Sequence, residues 1–561
     1  MCFRQLFCLA ALPLALSHAQ ERTQARSVVM TSHGIVATSQ TLASQAGAQV
    51  LARGGSAVDS AIAANAMLGL VEPMMDGIGG DLFVIYYEAK TGKLYGYNGS
   101  GRAGRNVSIG ALKAKGFSAM PAKGIHTVTV PGAVEGWDQL HKKFGKLPWR
   151  DLLQPAIYHA KNGFPVTEII QYDWEAGTSA LRTDVNGRRV FLNAQGRAPQ
   201  PGEIFKNPEL AKAYGILADG GATAFYKGPI AQAILQTSKR LDGLLTAEDL
   251  ATHQGEWVEP ISATYRGWKV YELPPNGQGI GALQMLNLFE KFDLPSMDPL
   301  SAPALHLKIE AQKLAYQDLI RYVGDPRFVK VPVGGMLDKG YAAERAKLIS
   351  ADRANCTTSP GMPPVKGSGN TIYLSVVDRD GNIASWIQSI SDLWGSYVVV
   401  DGLGFTLHDR GSGFLFDESQ ANSLAPGKRP FHTIIPGFMQ KGTQSIGFGI
   451  MRGLNQSQAH AQFVSYLVDH GANIQAALEG ARFTRRSLQG CEVLIESRVP
   501  AAELEKLRSL GHSIDVRGAY SGLMGGGQAV MFDSATGVKF GASSPRKDGA
   551  AIPEPVSYWP K

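Results

Sequence analysis

Cysteine is scarce in this chain, and the common metal-binding spacings are missing from it. Four cysteines occur in 561 residues, and neither a C-x-x-C nor an H-E-x-x-H pattern is present. Two of the four, Cys356 and Cys491, lie outside the N-terminal segment. Whether they pair stays open, because the sequence does not place their Cα atoms. These absences exclude a disulfide-rich scaffold, and we expect no metal and no organic cofactor.

The chain also lacks long hydrophobic runs. The N-terminal apolar run at residues 6–16 is short of the roughly 20 residues that span a bilayer. Arg4 precedes this run and the small-x-small sequence Ser17-His18-Ala19 follows it, which is typical of a signal peptide. A buried N-terminal helix is the alternative. The sequence predicts a signal peptide over residues 1–19, no membrane span, and a periplasmic or secreted protein.

Two binding functions are disfavoured by what is missing. The net charge is +7, but the basic residues are scattered and no run interleaves them with aromatics. We therefore expect no nucleic-acid partner. The glycine-rich stretch at 77–80 precedes a β-prone run instead of joining a strand to a helix, and it lacks a third glycine. It does not match a dinucleotide-binding loop.

Hydrophobic periodicity predicts a chain of mixed α and β structure. A short strand is expected over 34–38, and Ser56 with Asp59 forms a capping-box pattern at the start of an alanine-rich helix. The other predicted elements are a helix over 43–51, strands over 82–87, 127–130, 397–400 and 445–450, a largely helical stretch over 150–350, and a helix over 456–470.

A change of composition divides the chain near residue 370. Residues 355–370 hold Thr, Ser, Pro and Gly with almost no bulky apolar side chain, which indicates an exposed, flexible linker. The β-prone run TIYLSVVD follows directly at 371–378, and Asp380-Gly381-Asn382 predicts a hairpin turn to a return strand over 383–389. We expect a large part, 20–370, and a small part, 371–561.

Thr371 follows this linker immediately and is a candidate nucleophile. A threonine hydroxyl needs an adjacent base. Cleavage between Asn370 and Thr371 would free an α-amino group with a pKa of about 8, which could take the hydroxyl proton. The Thr371 hydroxyl could itself attack the Asn370 carbonyl to make the cut. The pattern alone also fits a half-exposed threonine at the start of a strand.

Six blocks of sequence carry a resemblance to a known family. They are GGSAVDSAIAAN at 54–65, GIGGD at 77–81, VPGAVEGW at 130–137, SVVDRDGN at 375–382, PGKRP at 426–430 and GASSPR at 541–546. In this order and spacing the chain resembles the γ-glutamyltransferase (glutathione hydrolase) family over nearly its whole length after the signal peptide. The resemblance implies an α/β (α+β) fold, the four-layer αββα sandwich of N-terminal-nucleophile (Ntn) hydrolases with two stacked central sheets.

The resemblance also implies an activity and a set of site residues. Such enzymes are cut into a large and a small subunit. They pass an acyl group, typically γ-glutamyl from glutathione, to water or an amino acceptor. By position, Thr371 matches the nucleophile and Ser389 matches a hydroxyl that binds the nucleophile's amine. Arg452 and Gly453 match a glycine pair whose backbone N–H groups form the oxyanion hole.

The chain departs from the family where the substrate would bind. Ser100 stands where the family has a carboxylate-binding arginine, and Arg102 is nearby but displaced. The family's ammonium-binding carboxylate aligns near Gly413, and the glutamine next to it in the family aligns near Arg410. The other departures are His432-Thr433 for a serine pair, Arg452 for the first oxyanion glycine, and Ser391 for an asparagine. Arg102, Ser391, Arg410, His432 and Thr433 are our candidate substrate-binding residues.

These departures leave three hypotheses open. The substrate is a γ-glutamyl amide such as glutathione, or it is another amide. The loss of an acid and the gain of two arginines favour a dicarboxylic half-amide without an ammonium. The third hypothesis is an uncleaved homologue that only binds.

Three of the candidate site residues also have structural interpretations. His432 could be a structural hydrogen-bonding residue. Arg410 and Arg452 could pair with the nearby acids, Asp392, Asp401 and Asp409.

Overall fold

The computed structural model describes residues 24–357, 371–485, 487 and 490–558. The predicted signal peptide, most of the predicted linker and Asn370 lie outside these residues. The strands are β1 (Val29–Thr31), β2 (Ile35–Ala37), β3 (Asp81–Glu88), β4 (Lys93–Gly99), β5 (Phe164–Pro165), β6 (Ile204–Phe205), β7 (Glu256–Val258), β8 (Ile261–Tyr265), β9 (Trp268–Glu272), β10 (Ile372–Val377), β11 (Ile383–Ser389), β12 (Gly437–Lys441), β13 (Gln444–Ile450), β14 (Phe483–Thr484), β15 (Glu492–Glu496), β16 (Ser513–Arg517), β17 (Gly527–Asp533), β18 (Lys539–Ser543) and β19 (Ala551–Pro553).

The helices are spread over both predicted parts of the chain. They are α1 (Thr41–Ala52), α2 (Ala57–Val71), α3 (Ile109–Ala114), α4 (Ala133–Phe144), α5 (Trp149–Asn162), α6 (Glu168–Glu175), α7 (Thr178–Leu181), α8 (Val185–Phe191), α9 (Pro208–Tyr226), α10 (Pro229–Arg240), α11 (Ala247–Ala251), α12 (Gly279–Phe289), α13 (Ala302–Tyr322), α14 (Val333–Met336), α15 (Lys339–Ala346), α16 (Asn455–Val468), α17 (Ile474–Glu479) and α18 (Ala501–Ser509). None of the described helices is long and apolar enough to cross a membrane.

Two antiparallel seven-stranded sheets form the centre of the molecule. The first has the order β1-β18-β17-β13-β12-β9-β8, and the second has the order β19-β2-β10-β11-β3-β4-β7. Both sheets combine strands from before and after Thr371. The two predicted parts therefore fold as one unit. In the second sheet, the predicted hairpin of β10 and β11 is central, with Ile372 opposite Gln388.

Helices cover the outer face of each sheet, which confirms the predicted αββα layers. Helices α1 and α2 pack on the second sheet, and α12, α16 and α17 pack on the first. Between the sheets lies an apolar layer that includes Phe83, Tyr373 and Phe438. Each sheet buries one face against the other sheet and its second face against helices. Apolar side chains therefore occur on both faces of the strands.

The capping box predicted at Ser56 is present and is tied to the β10–β11 hairpin. The Ser56 hydroxyl accepts from the Asp59 N–H, and the Asp59 carboxylate accepts from the Ser56 N–H. The next N–H of helix α2, from Ala57, donates to the Asp378 carboxylate at 3.1 Å. Asp378 also accepts from the Asn382 N–H in the hairpin turn. One carboxylate thus joins the turn to the helix N-terminus.

Two of the predicted strands are wrong. Residues 125–127 form a 3-10 turn, and 128–130 are extended without a ladder partner. Their β-branched side chains suggested a strand, but Pro131 follows, and the Val130 N–H donates to a loop carbonyl, that of Arg102. Residues 397–400 contribute only an isolated bridge from Val399 to Thr406.

The predicted helical stretch over 150–350 is interrupted by five strands that the periodicity argument missed, the two-residue strands β5 and β6 and the longer β7, β8 and β9. Strands β8 and β9 form a hairpin whose two turn residues, Arg266 and Gly267, have φ of 45° and 84°. Such a turn is typical of tightly twisted hairpins. Its signal in the sequence was the Arg-Gly pair between two β-prone runs. These strands complete the edge of the first sheet, and β7 completes the edge of the second.

Candidate active site

Thr371 lies at the beginning of the central strand β10 and is buried, with 1% of its surface exposed. The interpretation as a half-exposed surface threonine therefore does not hold. Its hydroxyl donates to the Ser389 hydroxyl at 3.3 Å and accepts from the Gln456 side-chain amide at 3.3 Å. A buried hydroxyl without partners would be costly, and both partners are supplied by other elements.

The hairpin register brings Ser389 to Thr371. Because Ile372 pairs with Gln388, the next residue pair outward is Thr371 and Ser389. The Ser389 hydroxyl also accepts from the Ser391 N–H at 2.8 Å. Ser391 thus joins the site through its backbone. On the other side of Ser389, Gly80 approaches so closely that a Cβ there would lie 2.5 Å from the Ser389 carbonyl oxygen.

A tight turn directly precedes helix α16, whose first turn contacts the nucleophile through Gln456. Arg452 and Gly453 have φ of 96° and 51°, and their carbonyls accept from the N–H groups of Asn455 and Gln456. Among the described residues, neither the Arg452 N–H nor the Gly453 N–H has an acceptor. Gln456, in the first turn of α16, places this helix N-terminus next to Thr371. Such an arrangement can stabilise a developing oxyanion.

Arg410 is a buried cation with unused donors. It is 4% exposed, and its Nη1 donates to the Thr433 hydroxyl at 2.8 Å. Its Nε and Nη2 are buried without a hydrogen-bond acceptor in the described part of the chain. Burial lowers the pKa of Arg410, an effect opposed by nearby acids, and a guanidinium stays charged at neutral pH. Two unpaired donors, Nε and Nη2, lie on one edge of this buried guanidinium and can bind a carboxylate.

The proposed ion pairs of Arg410 with its neighbours do not form. Asp409 and Asp392 instead face Lys123, with Nζ–carboxylate distances of 2.7 and 3.5 Å. Asp401 pairs with Arg240. Within the described residues, Arg410 therefore has no salt bridge.

Gln278 connects this cation to the oxyanion turn. Its side-chain amide donates to the Thr433 carbonyl at 2.5 Å and to the Gly453 carbonyl at 2.7 Å. Gln278 thus links Thr433, which hydrogen-bonds Arg410, to Gly453 of the proposed oxyanion turn. Neither Gln278 nor Gln456 was singled out from the sequence. Their only signal is a position at the start of a helix.

Comparisons with known proteins identify the family of the chain. The model of the protein family described as "Gamma-glutamyltranspeptidase" matches residues 43–554. The chain belongs to this family. Its members are catalytic hydrolases and transferases, and the chain is an Ntn amidohydrolase of this kind.

Relatives and a solved structure cover almost the whole chain. The "Glutathione hydrolase-like YwrD proenzyme" of Bacillus subtilis (strain 168) is 37% identical, over 94% of this chain and 99% of that protein. The "Oxamate amidohydrolase proenzyme" of Klebsiella pneumoniae is 32% identical over 93% and 98%. The crystal structure of cephalosporin acylase from Bacillus halodurans superposes with a TM-score of 0.88 at 40% identity, over 98% of this chain and 99% of that one.

His432 occupies a structural position in this member of the family. It is fully buried, its Nε2 donates to Asp81 at 3.0 Å, and its Nδ1 accepts from the Ile434 N–H. Burial and the charge of Arg410 lower its pKa to about 3, so the imidazole is neutral. For Asp81, burial raises the pKa, but His408 and His432 outweigh it and hold the pKa below its usual value. These contacts favour the structural interpretation of His432.

The structure does not bring Arg102 into this cluster. Its Nη2 donates to Glu256 at 2.6 Å, and its Nη1 lies 3.6 Å from Asp325. Its guanidinium is shared between two carboxylates of the protein. Of the two displaced arginines, Arg410 is therefore the better candidate for binding a substrate carboxylate.

One group of potential metal ligands lies on other elements. His306 and Glu310 on α13 face His512, with ligand atoms within 4.8 Å of one another. The two histidines hydrogen-bond each other at 2.8 Å, and Glu310 pairs with Lys313 at 2.6 Å. Most of their polar atoms are paired within the group, although the His512 Nδ1 is buried without a hydrogen-bond partner among the described residues. None of them contacts Thr371.

Proposed function

We propose that the chain cleaves itself between Asn370 and Thr371 and then acts as an amidohydrolase or acyltransferase. The freed amine of Thr371 takes the hydroxyl proton, and Oγ1 bonds to the substrate carbonyl carbon. The C–N bond then breaks, the leaving nitrogen takes the proton, and water or an amine releases the acyl group from the ester. The buried Thr371 hydroxyl supports this, because it contacts Gln456, which follows a turn whose two N–H groups have no acceptor among the described residues. Relatives named proenzymes support the cleavage.

For the acyl group, we infer a dicarboxylic half-amide. The observation that carries this inference is the buried Arg410 guanidinium, whose Nε and Nη2 have no acceptor in the described residues. A distal carboxylate on the acyl group would supply one. The oxamate amidohydrolase among the relatives supports this chemistry, because oxamate is itself the half-amide of a dicarboxylic acid.

A γ-glutamyl group is the second candidate, and Asp392 favours it. Its Oδ1 is buried without a partner in the described part of the chain, although Lys123 lies 3.5 Å from the other oxygen. Burial and the neighbouring Asp409 raise the pKa of Asp392 to about 6. An ammonium group placed here would pair with the carboxylate and lower that pKa again.

The two acyl groups are distinguished by comparing glutaryl and γ-glutamyl p-nitroanilides, which differ only in the α-ammonium. We expect kcat/KM to be about tenfold higher for the glutaryl compound, because one uncompensated charge costs at least this much in a buried site. A preference of the same size for the γ-glutamyl compound would make Asp392 the ammonium partner. If neither compound is hydrolysed and the chain is uncut, the protein is a binding homologue.

We place the mature protein in the periplasm or outside the cell. The predicted signal peptide is the main argument. The disulfide between Cys356 and Cys491, with Cα atoms 4.8 Å apart, supports it because such bonds persist in oxidising compartments.

The same disulfide predicts how the cleaved protein behaves on a gel. Cys356 precedes the proposed cut and Cys491 follows it, so the bond would join the two fragments covalently. Without reductant we expect one species of full mass, and with reductant two, 20–370 and 371–561. Electrophoresis with and without a thiol checks this. The Cys491→Ser variant should give two fragments under both conditions. Two unlinked fragments from the wild type without reductant would contradict the pairing.

A further inference from the structure

Arg452 is held in a backbone conformation that suits glycine. Its φ of 96° lies in the left-handed region, where a side chain costs free energy and glycine does not. The following residue, Gly453, is also at positive φ and is a glycine. Strained residues of this kind persist where the side chain has a use. The turn geometry needs only a backbone N–H at this position, so it does not account for the arginine.

The guanidinium of Arg452 has no hydrogen-bond or ion-pair partner among the described residues, although the side chain is half-buried. Burial lowers its pKa, an effect opposed by Asp173 and Tyr172. Asp173 does not neutralise it, because that carboxylate pairs with Lys547 at 2.7 Å. Glu72, the other acid here, also faces Lys547, and burial raises its pKa. Both nearby acids are thus engaged by Lys547, and Arg452 has no ion pair with any described residue.

Arg452 and Arg410 lie in different surroundings. The neighbours of Arg410, including Asp81 and Thr433, are almost fully buried. Two neighbours of Arg452, Tyr172 and Asp173, are on α6, and Tyr172 is 76% exposed. An acyl group that ends at Arg410 would thus point inward, and the nitrogen side of the amide would extend toward the surface near Arg452. In the proposed oxyanion hole the Arg452 backbone N–H would contact the reacting carbonyl, so its side chain would begin close to the scissile amide.

We propose that Arg452 binds a carboxylate on the amine half of the substrate, so that the preferred substrates are acylated amino carboxylic acids. The inference rests on the function proposed above. The Arg452 side chain would then determine substrate specificity, while its backbone N–H would serve the proposed oxyanion hole. The same contact would favour amino acids over simple amines as acyl acceptors.

The test compares two glutaryl anilides that share the acyl group and differ in one carboxylate, glutaryl-4-nitroanilide and glutaryl-3-carboxy-4-nitroanilide. The oxyanion turn would contact the same glutaryl carbonyl in both compounds, so a change in the turn should alter both kcat/KM values alike and cancel from their ratio. We expect the wild type to favour the carboxylated anilide about tenfold, as for one charge-assisted contact. Arg452→Gly and Arg452→Gln should bring the ratio close to one, and Arg452→Lys should retain part of it.

The outcomes separate this inference from the proposed function. If the wild type hydrolyses both anilides but the ratio is the same in Arg452→Gly and Arg452→Gln, only the role of Arg452 is wrong. If a cleaved wild-type protein hydrolyses neither, both proposals are wrong. Arg452→Gly relieves the positive φ, so its melting temperature should not fall. An unchanged melting temperature would show that a lost preference for the carboxylated anilide does not come from misfolding. High salt should also reduce the wild-type ratio, because the site is partly open to solvent.

Discussion

Replacing Thr371 by alanine is expected to leave one uncut chain with no amidase activity. The variant lacks the hydroxyl that we propose attacks both the Asn370 carbonyl and the substrate, so hydrolysis of glutaryl-4-nitroanilide should fall by at least about 10³-fold. The fold should persist, because losing the hydroxyl removes two hydrogen bonds of 3.3 Å, worth roughly 1 kcal/mol each. Intact-mass analysis and the anilide assay measure both effects.

Thr371→Ser is the matched control for this prediction. It keeps a hydroxyl and, after cleavage, an N-terminal amine, so both cleavage and turnover should continue at reduced rates. The methyl group it loses fixes the χ1 angle that points the hydroxyl toward Ser389 and Gln456. Fragments meeting at Asn370 and Thr371 in the alanine variant would contradict self-cleavage. They would instead indicate an external protease.

Arg410→Gln is expected to abolish discrimination in favour of an acyl carboxylate. We compare glutaryl-4-nitroanilide with butyryl-4-nitroanilide, which lacks the carboxylate. The wild type should favour the glutaryl compound about 10²–10³-fold, as for a buried bidentate contact of roughly 3–4 kcal/mol, and the variant should lose most of this ratio. The variant should also be at least as stable as the wild type, since it removes a buried cation with two unpaired donors. Thermal unfolding measures this second effect.

Arg102→Gln serves as the control for Arg410. It removes one cationic partner of Glu256, which keeps Arg429, and one of the buried Asp325, so its melting temperature should fall. Its ratio of glutaryl to butyryl hydrolysis should stay at the wild-type value, because Arg102 is occupied by protein carboxylates. The assignment of the acyl carboxylate to Arg410 is wrong if the Arg102 variant loses the ratio and the Arg410 variant keeps it.

Local sequence predicted those parts of the fold whose causes are local. The β-prone run after Thr371, the turn at 380–382 and the capping box at Ser56 all depend on residues within a few positions of one another. Blocks of family sequence predicted the αββα layers. The sequence failed at 127–130 and at 397–400, because β-branched residues form a strand only when a partner strand is present. It also missed the β8–β9 hairpin, whose turn signal was a single Arg-Gly pair.

By itself, the sequence predicted a nucleophile at Thr371 through its family resemblance, a division of the chain at residue 370, and several arginines near the substrate. Only the tertiary structure decided what those arginines do. Arg102 forms salt bridges with two protein carboxylates, whereas Arg410 and Arg452 form none with the described residues. Arg410 also keeps two buried donors without an acceptor there. The tertiary structure also decided the pairing of Cys356 with Cys491, 135 residues apart, and the contact of Gln456 with Thr371. Charge pairing, disulfide geometry and burial depend on distances between remote segments, and those distances are set by the packing of the two sheets and their helices.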